Sequence, residues 1–212
     1  MSKLQSRTAP RRAPVTPKPA EWRRARWTVL LVLLICAAPV VASYLTYYVF
    51  KPAGGTTNYG TLIEPQRPEP AGFAVHDDSG ALVPPSAFQG KWLLISVGPS
   101  ACDTACVQQL YFARQIRATQ GADRDRIVAV WLRTDNGPIA ADLRTAYPDT
   151  RGWVADPQAL AQWFPTDAGT QMSDHLYLID PNGNLMMRFP KDADPSKIKN
   201  DIAKLLRVST IG

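Results

Sequence analysis

The sequence predicts an α/β sandwich behind a single membrane-spanning helix, and three observations carry that reading. Trp27–Phe50 is a run of 24 residues without a charge. Beyond it, two continuous apolar runs, Trp92–Val97 and Ile127–Leu132, have the character of strands buried on both faces, with helix-forming residues between them. A hairpin and an amphipathic helix follow, so strands and helices alternate as they do when helices cover both faces of one sheet.

The first element is the membrane helix. At 1.5 Å per residue the uncharged run reaches ~36 Å, enough for a hydrocarbon core of ~30 Å. Trp27 at one end and Tyr44, Tyr47 and Tyr48 at the other suit the two interfaces, and Pro39 is tolerated in a membrane helix. The run exceeds the ~7–15 residues of a signal-peptide core, so it is expected to be retained although Val41-Ala42-Ser43 loosely fits a cleavage site. Ile35 fills the small-residue position that lipidation at Cys36 would need, so Cys36 reads as an apolar membrane residue. The chain carries +6 overall, but residues 1–26 carry +7 and the remainder −1. The basic character belongs to the tail, and charge gives the body no nucleic-acid role. The same flank predicts a cytoplasmic N-terminus in the inner (cytoplasmic) membrane, with the C-terminal domain in the periplasm.

Residues 1–26, rich in Pro and Arg without apolar periodicity, predict a disordered cytoplasmic tail, and 27–50 the anchor. Residues 51–72, with their glycines and prolines, read as a linker, and the folded domain is expected over 73–212. Phe73–Val83 predicts two short strands about an Asp-Asp-Ser-Gly turn. After the strand at Trp92, a helix is expected from Asp103 to Thr119, stopped near Gly121. Ile127–Leu132 is the second core strand. Pro138 opens a short helix near Ile139–Tyr147, and Asp156-Pro157 caps another through Trp163. His175–Asp180 and Leu185–Phe189 form a hairpin about Asn182-Gly183. Asp194-Pro195 starts a last helix, whose Ile198, Ile202, Leu205 and Leu206 share one face.

The chemistry centres on Cys102-Asp-Thr-Ala-Cys106. Four-residue spacing at the start of a helix puts both sulfurs on one face, with Cα atoms ~6 Å apart, inside the range of a disulfide and close enough to share an ion. The positive end of the helix favours thiolate, the form that binds metal and attacks disulfides. A purely stabilising bridge suits an exported domain, yet so short a loop removes little unfolded-state entropy. A cysteine pair at the N-terminus of the first long helix after a central strand makes a thioredoxin-like, three-layer sandwich the natural candidate.

His175, preceded by Asp174, begins a strand expected to run beside the central one, so it is the candidate third ligand, with Asp174 a possible orienting partner. Two thiolates and an imidazole suit copper; zinc prefers four ligands, or three with a catalytic base that is not evident here. His76 reads as a solvated turn residue, and Met172 as packing rather than a soft ligand. Metal handling, thiol–disulfide exchange and a scaffold role with a mere staple remain open from the residues.

Gln89-Gly-Lys-Trp-Leu-Leu-Ile, the Cys102-x-x-x-Cys106 pair and Asp174-His-Leu-Tyr-Leu-Ile-Asp-Pro-Asn-Gly resemble the Sco/SenC family over about Tyr59–Val208. Asp135-Asn-Gly-Pro138 resembles that family's acidic loop. The resemblance implies a membrane-anchored, thioredoxin-like copper protein that assists cytochrome c oxidase assembly, with Cys102, Cys106 and His175 as copper ligands. It implies as partner oxidase subunit II, at its dinuclear copper site, or another copper chaperone. The alternative is a periplasmic thiol–disulfide oxidoreductase in which Cys102 and Cys106 are the catalytic pair. One departure is plain: Val107 stands where the family usually has proline after the second cysteine.

Overall fold

The computed structural model describes residues 19–50 and 58–211. The tail to residue 18, the linker's first part at 51–57 and Gly212 lie outside the described residues. The chain divides into two units, one ending at Thr56 and the other beginning at Thr57.

In the first unit, helix α1 spans Pro19–Leu45 with Pro39 inside it, and a π-helical turn, Thr46–Phe50, follows. The apolar stretch Trp22–Val49, 28 residues, is long enough to cross a membrane. The helix starts well before Trp27, inside the segment expected to be a disordered tail. Pro19 is suited to a first helical turn, and the Glu, Arg and Ala residues after it are good helix formers. The Arg26 guanidinium lies 4.3 Å over the Trp22 ring, one turn away. Tyr44 stacks on Tyr48 with ring centroids 4.5 Å apart.

The second unit contains strands β1 (Thr61–Pro68), β2 (Val75–Asp77), β3 (Leu82–Val83), β4 (Trp92–Gly98), β5 (Ile127–Arg133), β6 (Arg151–Ala155), β7 (Leu176–Ile179) and β8 (Asn184–Arg188). Helices α2 (Thr104–Ala118), α3 (Ala141–Ala146), α4 (Pro157–Trp163) and α5 (Pro195–Val208) accompany them. The strands form one sheet in the order β1-β8-β7-β4-β5-β6-β2-β3. β4 is central and buried along its whole length, as its unbroken apolar sequence requires. It runs parallel to β5, from Trp92 opposite Ile127 to Gly98 opposite Arg133, and antiparallel to β7, where Ser96 faces Leu176.

Alternation along β4 sorts the core into two layers. Trp92 and Leu94 meet Ala113 and Ile116 of α2 and Ile198, Ile202 and Leu206 of α5. Leu93, Ile95 and Val97 face an aromatic layer of Phe88, Trp153, Trp163, Phe164 and Tyr177. Helices thus cover both faces, as the sequence predicts.

The segment read as a linker is structured from Tyr59 onward. β1 pairs antiparallel with β8, from Thr61 opposite Arg188 to Pro68 opposite Asn184, and buries Ile63. Its prolines are compatible with the sheet because it is an edge strand, where one row of amides needs no partner. The buried Asp201 carboxylate of α5 accepts hydrogen bonds from Tyr59 N and Gly60 N, and Arg67 O accepts one from Trp163 Nε1. β6 carries the other strand absent from the sequence reading; it runs parallel to β5 and joins the β2–β3 hairpin to the sheet.

Candidate metal centre

The two cysteines lie where β4 turns into α2. Asp103 is the N-cap, and its side chain accepts a hydrogen bond from Cys106 N at 2.9 Å. Cys102 therefore sits one residue outside the helix and Cys106 in its first turn. The pair is closed as a disulfide with Cα atoms 5.3 Å apart, and both residues are partly exposed. The positive helix end lies at the pair, the setting that favours a thiolate once the bond opens.

The loop before the pair is tightly held. Thr134 N donates to Gly98 O, and Ser100 N and Oγ donate to Asp135 Oδ2 and Asp135 O. Cys102 N in turn donates to Ser100 O at 3.0 Å. Hydrogen bonds from Ser100 and from Gly137 N, with the Arg133 charge nearby, hold the Asp135 carboxyl below the usual carboxylate range. Arg133, the last residue of β5, is buried and reaches Ser100 Oγ, Gly137 O and the Asp78 carboxylate. The Asp135 loop is legible in the sequence. Arg133 is not singled out there, and the only signal for it is one charge closing an otherwise apolar strand.

His175 lies just before β7, at the sheet end from which the cysteine loop leaves, but its ring is fully buried. Nδ1 is 2.8 Å from Phe189 O and Nε2 is 2.7 Å from Thr170 Oγ1. A carbonyl can only accept, so Nδ1 carries a proton in that contact. The ring centroid lies 6.0 Å from that of Tyr177, in the aromatic layer, whereas α2 packs on the opposite face. Among the described residues no three of His, Cys, Asp and Glu are grouped to hold a metal ion. The structure thus joins Cys102 to Cys106 and leaves His175 apart from them.

The neighbours are equally clear. Asp174 does not orient His175: its carboxylate accepts from Gln171 N and pairs with Lys191 at 3.3 Å, and these contacts lower its pKa, the Gln171 amide most. Asp174 closes a 3-10 turn, Met172–Asp174, and its carboxylate folds back onto Gln171 N as part of a capping box, while His175 is the first extended residue after the turn, which is why the pair separates. His76 is exposed on β2, Met172 packs against the aromatic layer, and Cys36 is free and exposed on α1.

A dithiol at the N-terminus of the helix that follows a central strand, in a sheet covered on both faces, defines a thioredoxin-like domain. Residues 92–209 match the family described as transmembrane-like, thioredoxin-like, C-terminal domain, and the chain belongs to it. Among solved structures, yeast Sco1 with copper bound is similar at 16% identity, covering 74% of this chain and 97% of that one, with a TM-score of 0.52. Apo Sco1 from Thermus thermophilus is similar at 18% identity, covering 71% and 96%, with a TM-score of 0.50. BsSco, a member of the Sco family of cytochrome c oxidase assembly proteins with a disulfide switch, is similar at 12% identity, covering 70% and 99%, again at 0.50. At these identities the likeness is one of fold. No curated protein matches the chain in sequence.

Proposed function

We propose that this chain is a membrane-anchored copper-handling protein that serves assembly of the dinuclear copper site in cytochrome c oxidase subunit II. Its basic flank stays in the cytoplasm and the domain works in the periplasm. The observation that carries the reading is the partly exposed Cys102–Cys106 pair at a helix N-terminus. An external dithiol opens it: one thiolate attacks a sulfur of the bridge, the mixed disulfide is resolved by the second external thiol, and two electrons and two protons have then passed to the pair. The freed thiolates are soft ligands suited to cuprous ion as cargo, taken from or passed to another copper chaperone or subunit II.

His175 is the proposed third ligand, and two facts bear on it. The Nδ1 contact to Phe189 O leaves Nε2 as the nitrogen for metal, a common arrangement for ligating histidines. Nε2 faces Thr170, so ligation requires the segment containing Thr170 to release it. A second reading, a thiol–disulfide oxidoreductase acting through Cys102 and Cys106, is favoured by the closed bridge and by the engagement of both imidazole nitrogens.

The test is made in cells whose only copy carries Cys102→Ser and Cys106→Ser. The expected result is an oxidase whose subunit II is depleted of copper, with activity restored by the wild-type chain. Normal copper content and activity in the variant strain would overturn the proposal.

A further inference from the structure

The side chain at the base of the cysteine loop is neither a cysteine nor a candidate ligand. Arg133 is 4% exposed, at the end of a strand whose other residues are apolar. Its Nη1 donates to Ser100 Oγ and Gly137 O, each at 3.1 Å, its Nη2 pairs with Asp78, and its Nε has no partner among the described residues. Burying a guanidinium in this way is costly, and a packed apolar side chain would often serve stability as well or better. The hydrogen bonds point instead toward the dithiol. Ser100, 3% exposed, takes the Arg133 bond on its hydroxyl, fixes itself to Asp135 through both N and Oγ, and presents its carbonyl to Cys102 N.

The two cysteines are therefore located by different means. Cys106 is fixed by α2 and by the Asp103 cap on its amide. Cys102 lies outside the helix, and its place depends on the loop that Arg133 and Asp135 hold. The stability of a disulfide against an external thiol depends on how often one sulfur is presented to the other, which is an effective concentration. Loosening Cys102 lowers that concentration and makes the bridge easier to reduce.

We propose that Arg133 is a positioning residue that, through Ser100, sets the redox balance of the Cys102–Cys106 pair. This rests on the pair being reversible, the part of the proposed function that needs no copper. The expected effect of Arg133→Met is a tenfold fall in the equilibrium constant for the disulfide, a rise of about 30 mV in reduction potential. Arg133→Lys, which keeps a charge and a donor, restores part of it. Ser100→Ala keeps the carbonyl that receives Cys102 N and the Arg133–Asp78 pair, but removes the hydroxyl through which Arg133 and Asp135 O hold the loop, and shifts the potential in the same direction.

The full chain in mild detergent is equilibrated across glutathione ratios, alkylated and weighed by mass spectrometry, with thermal unfolding of the oxidised form recorded in parallel. Variants that melt lower at unchanged potential would reduce Arg133 to a structural role and overturn the proposal. A shift in Arg133→Met without one in Ser100→Ala would also overturn it, because charge and not position would then act. If Arg133→Met does not fold, Ser100→Ala decides by itself. A wild-type bridge that no glutathione ratio reduces would overturn both this proposal and the dithiol cycle, whereas unchanged potentials in the variants leave the cycle standing.

Discussion

Asp201→Ala probes the segment where folded structure begins. Asp201 is 3% exposed on α5 and accepts hydrogen bonds from Tyr59 N at 2.6 Å and Gly60 N at 2.9 Å. The substitution removes the single oxygen, Oδ2, that accepts both bonds; Lys204, which pairs with the carboxylate at 3.2 Å, is half exposed and keeps its hydration. A hydrogen bond to a charged group is worth ~1.5–3 kcal/mol, and water recovers part of it at the less buried Tyr59 amide, so the loss is about 3 kcal/mol. For a domain of this size each kcal/mol moves the melting temperature by ~2–4 °C, giving a fall near ~10 °C. Hydrogen exchange should place the loosening in β1 and its partner β8, with α2 amides as protected as before. A variant that melts within ~1 °C of wild type and leaves β1 exchange unchanged would refute the reasoning and return residues 58–68 to the status of a linker.

Further expectations follow from the site. Replacing the fully buried His175 by Ala removes two hydrogen-bonding contacts and the ring packing, so urea unfolding should register a loss of ~2–4 kcal/mol; retention of wild-type cuprous affinity in the same variant would reject His175 as third ligand. Asp103→Ala removes the cap on Cys106 N and should cost ~1 kcal/mol in chemical denaturation. The Asp135 pKa lies below its ordinary 3.8, so its contribution to stability is present above that value and lost as pH falls through the lower folded value. Acid titration of Asp135→Asn should accordingly give a stability gap from wild type that is constant at neutral pH and narrows below 3.8; a gap that widens on acidification would contradict the assignment.

The sheet's centre was legible because Trp92–Val97 and Ile127–Leu132 are buried on both faces and leave no ambiguity of pattern. β1 was hidden by its prolines and by having only Ile63 buried, since an edge strand needs little apolar sequence. β6 was hidden by its brevity and by Gly152, and its pairing to β5 is a tertiary fact that no local signal carries. The cysteine pair could be read from spacing and helix geometry, and the structure closes it. The separation of His175 from that pair could not: register put it at the correct end of the sheet, but the face its ring occupies is set by the aromatic layer and by Thr170 and Phe189. Arg133 was illegible for a similar reason, because its partners Asp78, Ser100 and Gly137 come from three loops.

Whether the reduced Cys102/Cys106 pair carries copper is decided by cuprous titration of the reduced full chain in detergent, in competition with a chromophoric chelator. The reduced chain should retain one equivalent, the disulfide form none and the Cys102→Ser/Cys106→Ser variant none. A reduced wild-type chain that leaves all the cuprous ion with the chelator would contradict copper carriage by the pair.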